Sequence, residues 1–258
     1  MKRRDLIAAS AAFPAVAWPA PPAFLERPYV PGETPLSGPG HSLLKLISAA
    51  LKLPQKTEFE TPEAYAERVR PLLESPVQGS VPLSSLLAFR VPLPRHDTGS
   101  MRVGWTYDPG QQHMELSCLC ATPVNEAGRN FDELHRLRSS KEVGSYTGKT
   151  AFGRSVTVRQ EEVFEWLLLG GLPSDFWYST EVRQELSSAD AAQHLPGAAL
   201  WVIGAAHAPF LWTDRQRYKP TIDSPYEQRI DRIGLMIKVS ELIVVGKSGT
   251  PIMRREIA

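Results

Sequence analysis

Apolar positions in the first third of the chain repeat at helical spacing. In HSLLKLISAALKL, residues 41 to 53, Leu43, Leu44, Ile47 and Leu51 share one face, and Ser42 stands where a capping hydroxyl belongs. A second helix is predicted from Thr61-Pro62-Glu63: a capping hydroxyl, proline at the first helical position, then an acid in the first turn. Tyr65, Val69, Leu72 and Leu73 form its apolar face, Pro71 disturbs its last turn and Pro76 excludes its continuation. Beyond residue 100 the period shortens to two. Met101, Val103, Trp105 and Tyr107 alternate with polar residues, Asp108-Pro109-Gly110 supplies turn chemistry, and Met114, Leu116, Cys118 and Cys120 alternate again. This pattern predicts a hairpin with one apolar face.

Further strands are expected at Arg154–Arg159, within Glu162–Leu169, and at Phe176–Arg183, Ala198–Ala206 and Arg232–Val245. Two short helices are expected: Asn130–Arg138, where Asn130 and Glu133 have capping-box spacing, and Ala189–Leu195, stopped by Pro196-Gly197. Strands without regular intervening helices argue against a doubly wound sheet. The predicted class is α+β, with two N-terminal helices followed by a mainly antiparallel sheet or sandwich. Residues 41–258 are expected to form one domain.

The start of the chain carries a different pattern. Lys2, Arg3 and Arg4 precede an apolar stretch from Leu6 to Phe13, and Ala15-Val16-Ala17 has the small-x-small form of a cleavage site. These are the parts of a secretory signal peptide over residues 1–17, and paired Arg3-Arg4 resembles the twin-arginine type. Residues 18–40 are so rich in proline that a semi-extended linker is expected. The location expected from this is the periplasm or the medium. No apolar run reaches the about 20 residues that span a bilayer. A net charge of +1 gives no electrostatic case for nucleic acid.

Candidate chemistry is sparse. Cys118 and Cys120 would point the same way on a strand, about 6.6 Å apart, too far for a disulfide between them. His113 has the opposite parity and no second cysteine pair exists, so buried free thiols are expected rather than a metal site. The histidines show no metal-binding spacing, and no cofactor is indicated. Ser42-Leu43-Leu44-Lys45 matches S-x-x-K, and Lys247-Ser248-Gly249 resembles K-[ST]-G, the pair used by serine hydrolases of the penicillin-binding type. Against that reading, the third tripeptide of the set is missing, the middle of the chain reads as strands, and KSG follows a strand instead of opening one.

Three stretches together carry a resemblance. They are EFETPEAYAERV with Phe59, Thr61, Tyr65 and Arg68; SYTGKTAFGRSV with Tyr146, Gly148, Phe152 and Gly153; and KPTIDSPYEQ with Pro220, Thr221 and Asp223. They are similar to segments of bacterial exported proteins of unknown function, and the likeness spans about residues 56 to 250. It implies location and fold but no activity. The residues themselves suggest structural jobs, glycines for tight backbone and Tyr65 and Phe152 as core anchors. The function expected is non-enzymatic binding of an envelope protein or component. The alternative is the hydrolase using Ser42, Lys45 and Lys247. A convergent polar cleft would favour catalysis, and exposed apolar or aromatic surface would favour binding.

Overall fold

A computed structural model describes residues 23–33, 38–95, 103–118, 124–126, 129–149, 153–173, 176, 182–222 and 224–257. The described residues are mainly β, with three helices. Helices α1 (Leu43–Ala50) and α2 (Pro62–Leu73) come first. The strands β1 (Pro76–Gln78), β2 (Val81–Pro82), β3 (Leu86–Pro92), β4 (Val103–Asp108), β5 (His113–Cys118), β6 (Val124–Glu126), β7 (Arg129–Lys149), β8 (Ser155–Gly171) and β9 (Arg183–Glu185) follow. After these come α3 (Ser188–His194), β10 (Ala199–Tyr218), β11 (Tyr226–Val245) and β12 (Pro251–Glu256).

One seven-stranded sheet organises the molecule, in the order β3-β10-β11-β8-β7-β6. β12 takes up the β11 edge at Glu241–Val245, beyond the Tyr226–Lys238 stretch paired with β8. All its pairings are antiparallel except β8 with β11, which run parallel. Both faces of this sheet are buried near its base, which period-two alternation alone does not reveal. Leu200, Val202, Leu235 and Ile237 pack on one side against Leu46, Ile47, Tyr65 and Val69 of the helices. On the other side Trp201, Ile203 and Ile243 meet Tyr29, while Phe131, Leu167, Leu169 and Met236 form a separate cluster.

The expected hairpin is present: β4 and β5 pair with Trp105 opposite Leu116 and Tyr107 opposite Met114. Asp108 closes its turn by accepting the Gly110 and Gln111 N–H groups. Met101, Cys120 and the Cys118 side chain lie outside the described residues, as do Arg3 and Arg4. Most of the strand expected at Phe176–Arg183 also lies outside them, and β9 begins at Arg183.

The helix expected at Asn130–Arg138 is not there, because this stretch is the beginning of β7. The register against β8 shifts between Glu133 and His135. That bulge sends Phe131 to one face of the sheet and Leu134 and Leu137 to the other core. Three apolar residues three apart therefore mimic a helical stripe while serving two faces of a strand. α3 forms close to the expected position, capped by Ser187, whose Oγ accepts the Asp190 N–H at 3.1 Å.

Residues 23–33 form an extended strap against the sheet. Tyr29 N–H donates to the Leu86 carbonyl at 3.0 Å, and Leu25 N–H donates to that of Gly40 at 2.8 Å. His41 fastens the strap from inside: the Ala88 N–H donates to its Nδ1 at 2.8 Å, so Nε2–H donates to the Arg27 carbonyl at 2.9 Å. Burial pushes the imidazole pKa down, which keeps this neutral tautomer in place.

Candidate functional site

The turn between α1 and α2 is built by residues of the EFET stretch. Thr61 caps α2, its Oγ1 accepting the Ala64 N–H at 3.1 Å. One turn later Tyr65 enters the core, 4% exposed, with its ring 5.7 Å from that of Phe210. Arg68, on the same face, lies 5.3 Å over the Tyr65 ring. From there the guanidinium reaches back to the turn, with Nε 2.8 Å from Glu60 Oε1 and Nη2 2.9 Å from Oε2. Glu60 also closes the turn itself, accepting the Thr57 N–H at 3.2 Å, while its carbonyl receives the Lys56 ammonium at 2.7 Å. The hydrogen bonds from Arg68 hold the Glu60 carboxyl down at about 2, so the brace stays charged far into acid.

The residue held by this brace is Phe59, and it is 94% exposed. A phenyl ring held almost wholly in water forgoes about 2 kcal/mol of burial. Nothing in the local packing returns that energy, so the brace presents the ring instead of hiding it. Acids flank it on both sides, Glu58 and Glu60.

Beside the turn, α1, the end of α2 and β1 enclose an open groove of about 570 Å³. Its walls are Leu44, Ala49, Leu53, Leu72, Val77 and Leu83, with Lys45 and Ser48 of α1 and Lys52 of the turn after it. Leu44 and Leu72 leave 42% and 48% of their surface in water here. Neither ammonium forms an ion pair among the described residues. Lys45 on α1 and Lys52, two residues past its end, both line this groove.

The residues of the hydrolase alternative are not assembled. Ser42 is 5% exposed and its Oγ caps α1, 3.4 Å from the Lys45 N–H, while its own N–H donates to Gln78 Oε1 at 3.0 Å. The Lys45 side chain lines the outer groove. Lys247 lies in the turn between β11 and β12, its N–H donating to the His194 carbonyl at 3.2 Å. In that turn Ser248 Oγ is 3.2 Å from His194 Nδ1 and 2.9 Å from Thr250 Oγ1, a contact that sequence reading missed. It is exposed and has no carboxylate on the imidazole among the described residues. The N–H groups of Gly246, Lys247 and Gly249 are taken by carbonyls. A serine nucleophile needs an oriented base and free oxyanion donors, and these three N–H groups are not free to act as such donors.

Elsewhere the structure brings Tyr146, Gly148 and Pro220 together. They line a shallow cavity of about 320 Å³ with Val158 and Ile222, where β7 and β8 meet the turn after β10. Gly153 holds a φ of +78°, and Phe152 and Asp223 lie outside the described residues. A larger groove of about 700 Å³ runs between α2 and the kink of β10, over Phe131, His207 and Phe210 and along Glu63, Glu67 and Arg70. No cluster of three or more metal-ligating side chains occurs among the described residues. No described helix is long and apolar enough to cross a membrane. Comparison of the chain with protein-family models, with curated proteins and with solved structures finds no match.

Proposed function

We propose that this is an exported, periplasmic domain that works by binding an envelope protein or component, and that the Phe59 turn is its contact surface. The observation that carries the reading is the 94% exposure of Phe59 on a turn braced by the Glu60–Arg68 ion pair. Preorganised aromatic side chains beside apolar grooves are what anchors of protein contacts look like, since little ordering entropy remains to be lost on docking. The export part of the proposal rests on the basic, apolar and small-residue series at residues 1–17.

The hydrolase alternative has no comparable support, because Ser42 is occupied as a helix cap. Incubating the purified protein with a fluorescent penicillin and a fluorophosphonate should give no covalent label. Ser42→Ala should change nothing chemical and should cost about 1 kcal/mol of stability through loss of the cap. Label on the wild type that disappears in Ser42→Ala would replace the binding reading with catalysis.

A further inference from the structure

The binding reading leaves its occupant unnamed. Resting on it, we propose that Phe59 of one copy seats in the α1–α2 groove of a second copy, and the reverse, closing a two-fold dimer.

Knob and groove are complementary in both shape class and charge. The knob is one phenyl ring with Glu58 beside it, exposed and in no ion pair among the described residues. The groove is an apolar trough lined also by Lys45 and Lys52, whose ammonium groups form no ion pair among the described residues. Seating the ring would bring the Glu58 carboxylate to a wall that lacks an anion. The same geometry keeps Phe59 out of its own groove, because the turn is tied to α2 through Arg68 and the ring is left in water.

A second copy fits better than a small anionic amphiphile. The groove is open along its length, so an acyl chain lying in it would stay largely wet, whereas a second protein surface covers it. Leu53 in the groove precedes Phe59 by only six residues, so knob and groove lie on one helical pair. A two-fold axis through that surface makes both insertions at once and leaves no unsatisfied knob.

Sedimentation of the purified mature chain across a wide concentration range tests this. The wild type is expected to show a reversible monomer–dimer equilibrium. Phe59→Ser, with two knobs lost per dimer, should raise the dimer dissociation constant by about 100-fold while leaving the circular dichroism unchanged. Glu58→Lys and the pair Lys45→Glu with Lys52→Glu should each weaken the dimer about tenfold, and all three together should restore it. A wild type that stays monomeric, a dimer that survives Phe59→Ser, or a charge exchange that fails to restore association would overturn the proposal. A monomeric wild type that still contacts an envelope component through position 59 would overturn the dimer alone. Loss of contacts of every kind at position 59 would overturn the binding reading as well.

Discussion

Glu165→Ala is expected to destabilise the protein by about 3–5 kcal/mol, the usual result of stripping one partner from a buried ion pair. The Glu165 side chain is 1% exposed, yet it carries a charge between two guanidinium groups: Arg136 Nη1 at 2.8 Å and Arg232 Nε at 2.7 Å. Arg136 also binds both oxygens of Glu133, and Arg232 reaches Asp214 at 3.1 Å. The chain Glu133–Arg136–Glu165–Arg232–Asp214 thus ties β7, β8, β11 and β10 together across the sheet. Removing its central carboxylate leaves two partly buried cations facing each other. Burial pushes the Glu165 carboxyl up, but the Arg232 hydrogen bond and the charges of Arg136, Arg232 and Arg138 outweigh it and hold the group below its ordinary range. A depressed folded-state pKa means that the network's contribution is complete above the ordinary carboxylate range and is lost as pH falls below it. Urea denaturation at neutral pH should show the full loss, and the variant should respond less to acid than the wild type.

Gly40→Ala should cost on the order of 2–3 kcal/mol, from a disfavoured φ and a backbone clash together. Gly40 holds a φ of +74°, and a Cβ there would lie 2.5 Å from the Ala88 carbonyl oxygen and 3.1 Å from the Trp201 ring. The neighbouring strand cannot yield, since Ala88 is bonded on both sides of its peptide to His41. The strap should loosen where Leu25 leans on the Gly40 carbonyl. Lower urea midpoints and a shifted Trp201 emission are the expected readouts. An unchanged midpoint would mean that the strap contributes little to the fold.

How much of this could be read from the chain depends on how many faces each segment buries. Helices α1 and α2 were legible in position, since Ser42 and Thr61 both do what a capping hydroxyl does. They were not legible in every facing residue: Leu44, Leu51 and Leu72 stay exposed, while Leu46 and Ala50 are buried in α1. The β4–β5 hairpin was legible through its one apolar face and its Asp-Pro-Gly turn. The start of β7 was not, since its bulge and its two buried faces give Phe131, Leu134 and Leu137 a helical spacing. The ion-pair chain through Glu165 was equally hidden, because a glutamate in a strand reads as a wet position unless its cross-strand partners are known. Of the site, the EFET stretch was noticed and Tyr65 was read as a core anchor, which it is, but nothing marked Phe59 as the ring that stays outside. That difference comes from the Glu60–Arg68 pair, eight residues apart, which no local pattern announces. Lys45 was singled out only for the hydrolase alternative, and the groove it lines was hidden because it needs Leu72, Val77 and Leu83 from later elements.

Site-specific photo-cross-linking in intact cells tests the contact surface most directly. A photoreactive residue placed at position 59 should give, on irradiation, an adduct of discrete mass, either with an envelope component or with a second copy. The same residue at position 143, where Val143 is 48% exposed on β7, should give none. No adduct at 59, or equal adducts at both positions, would contradict the assignment of the Phe59 turn as the surface through which this protein works.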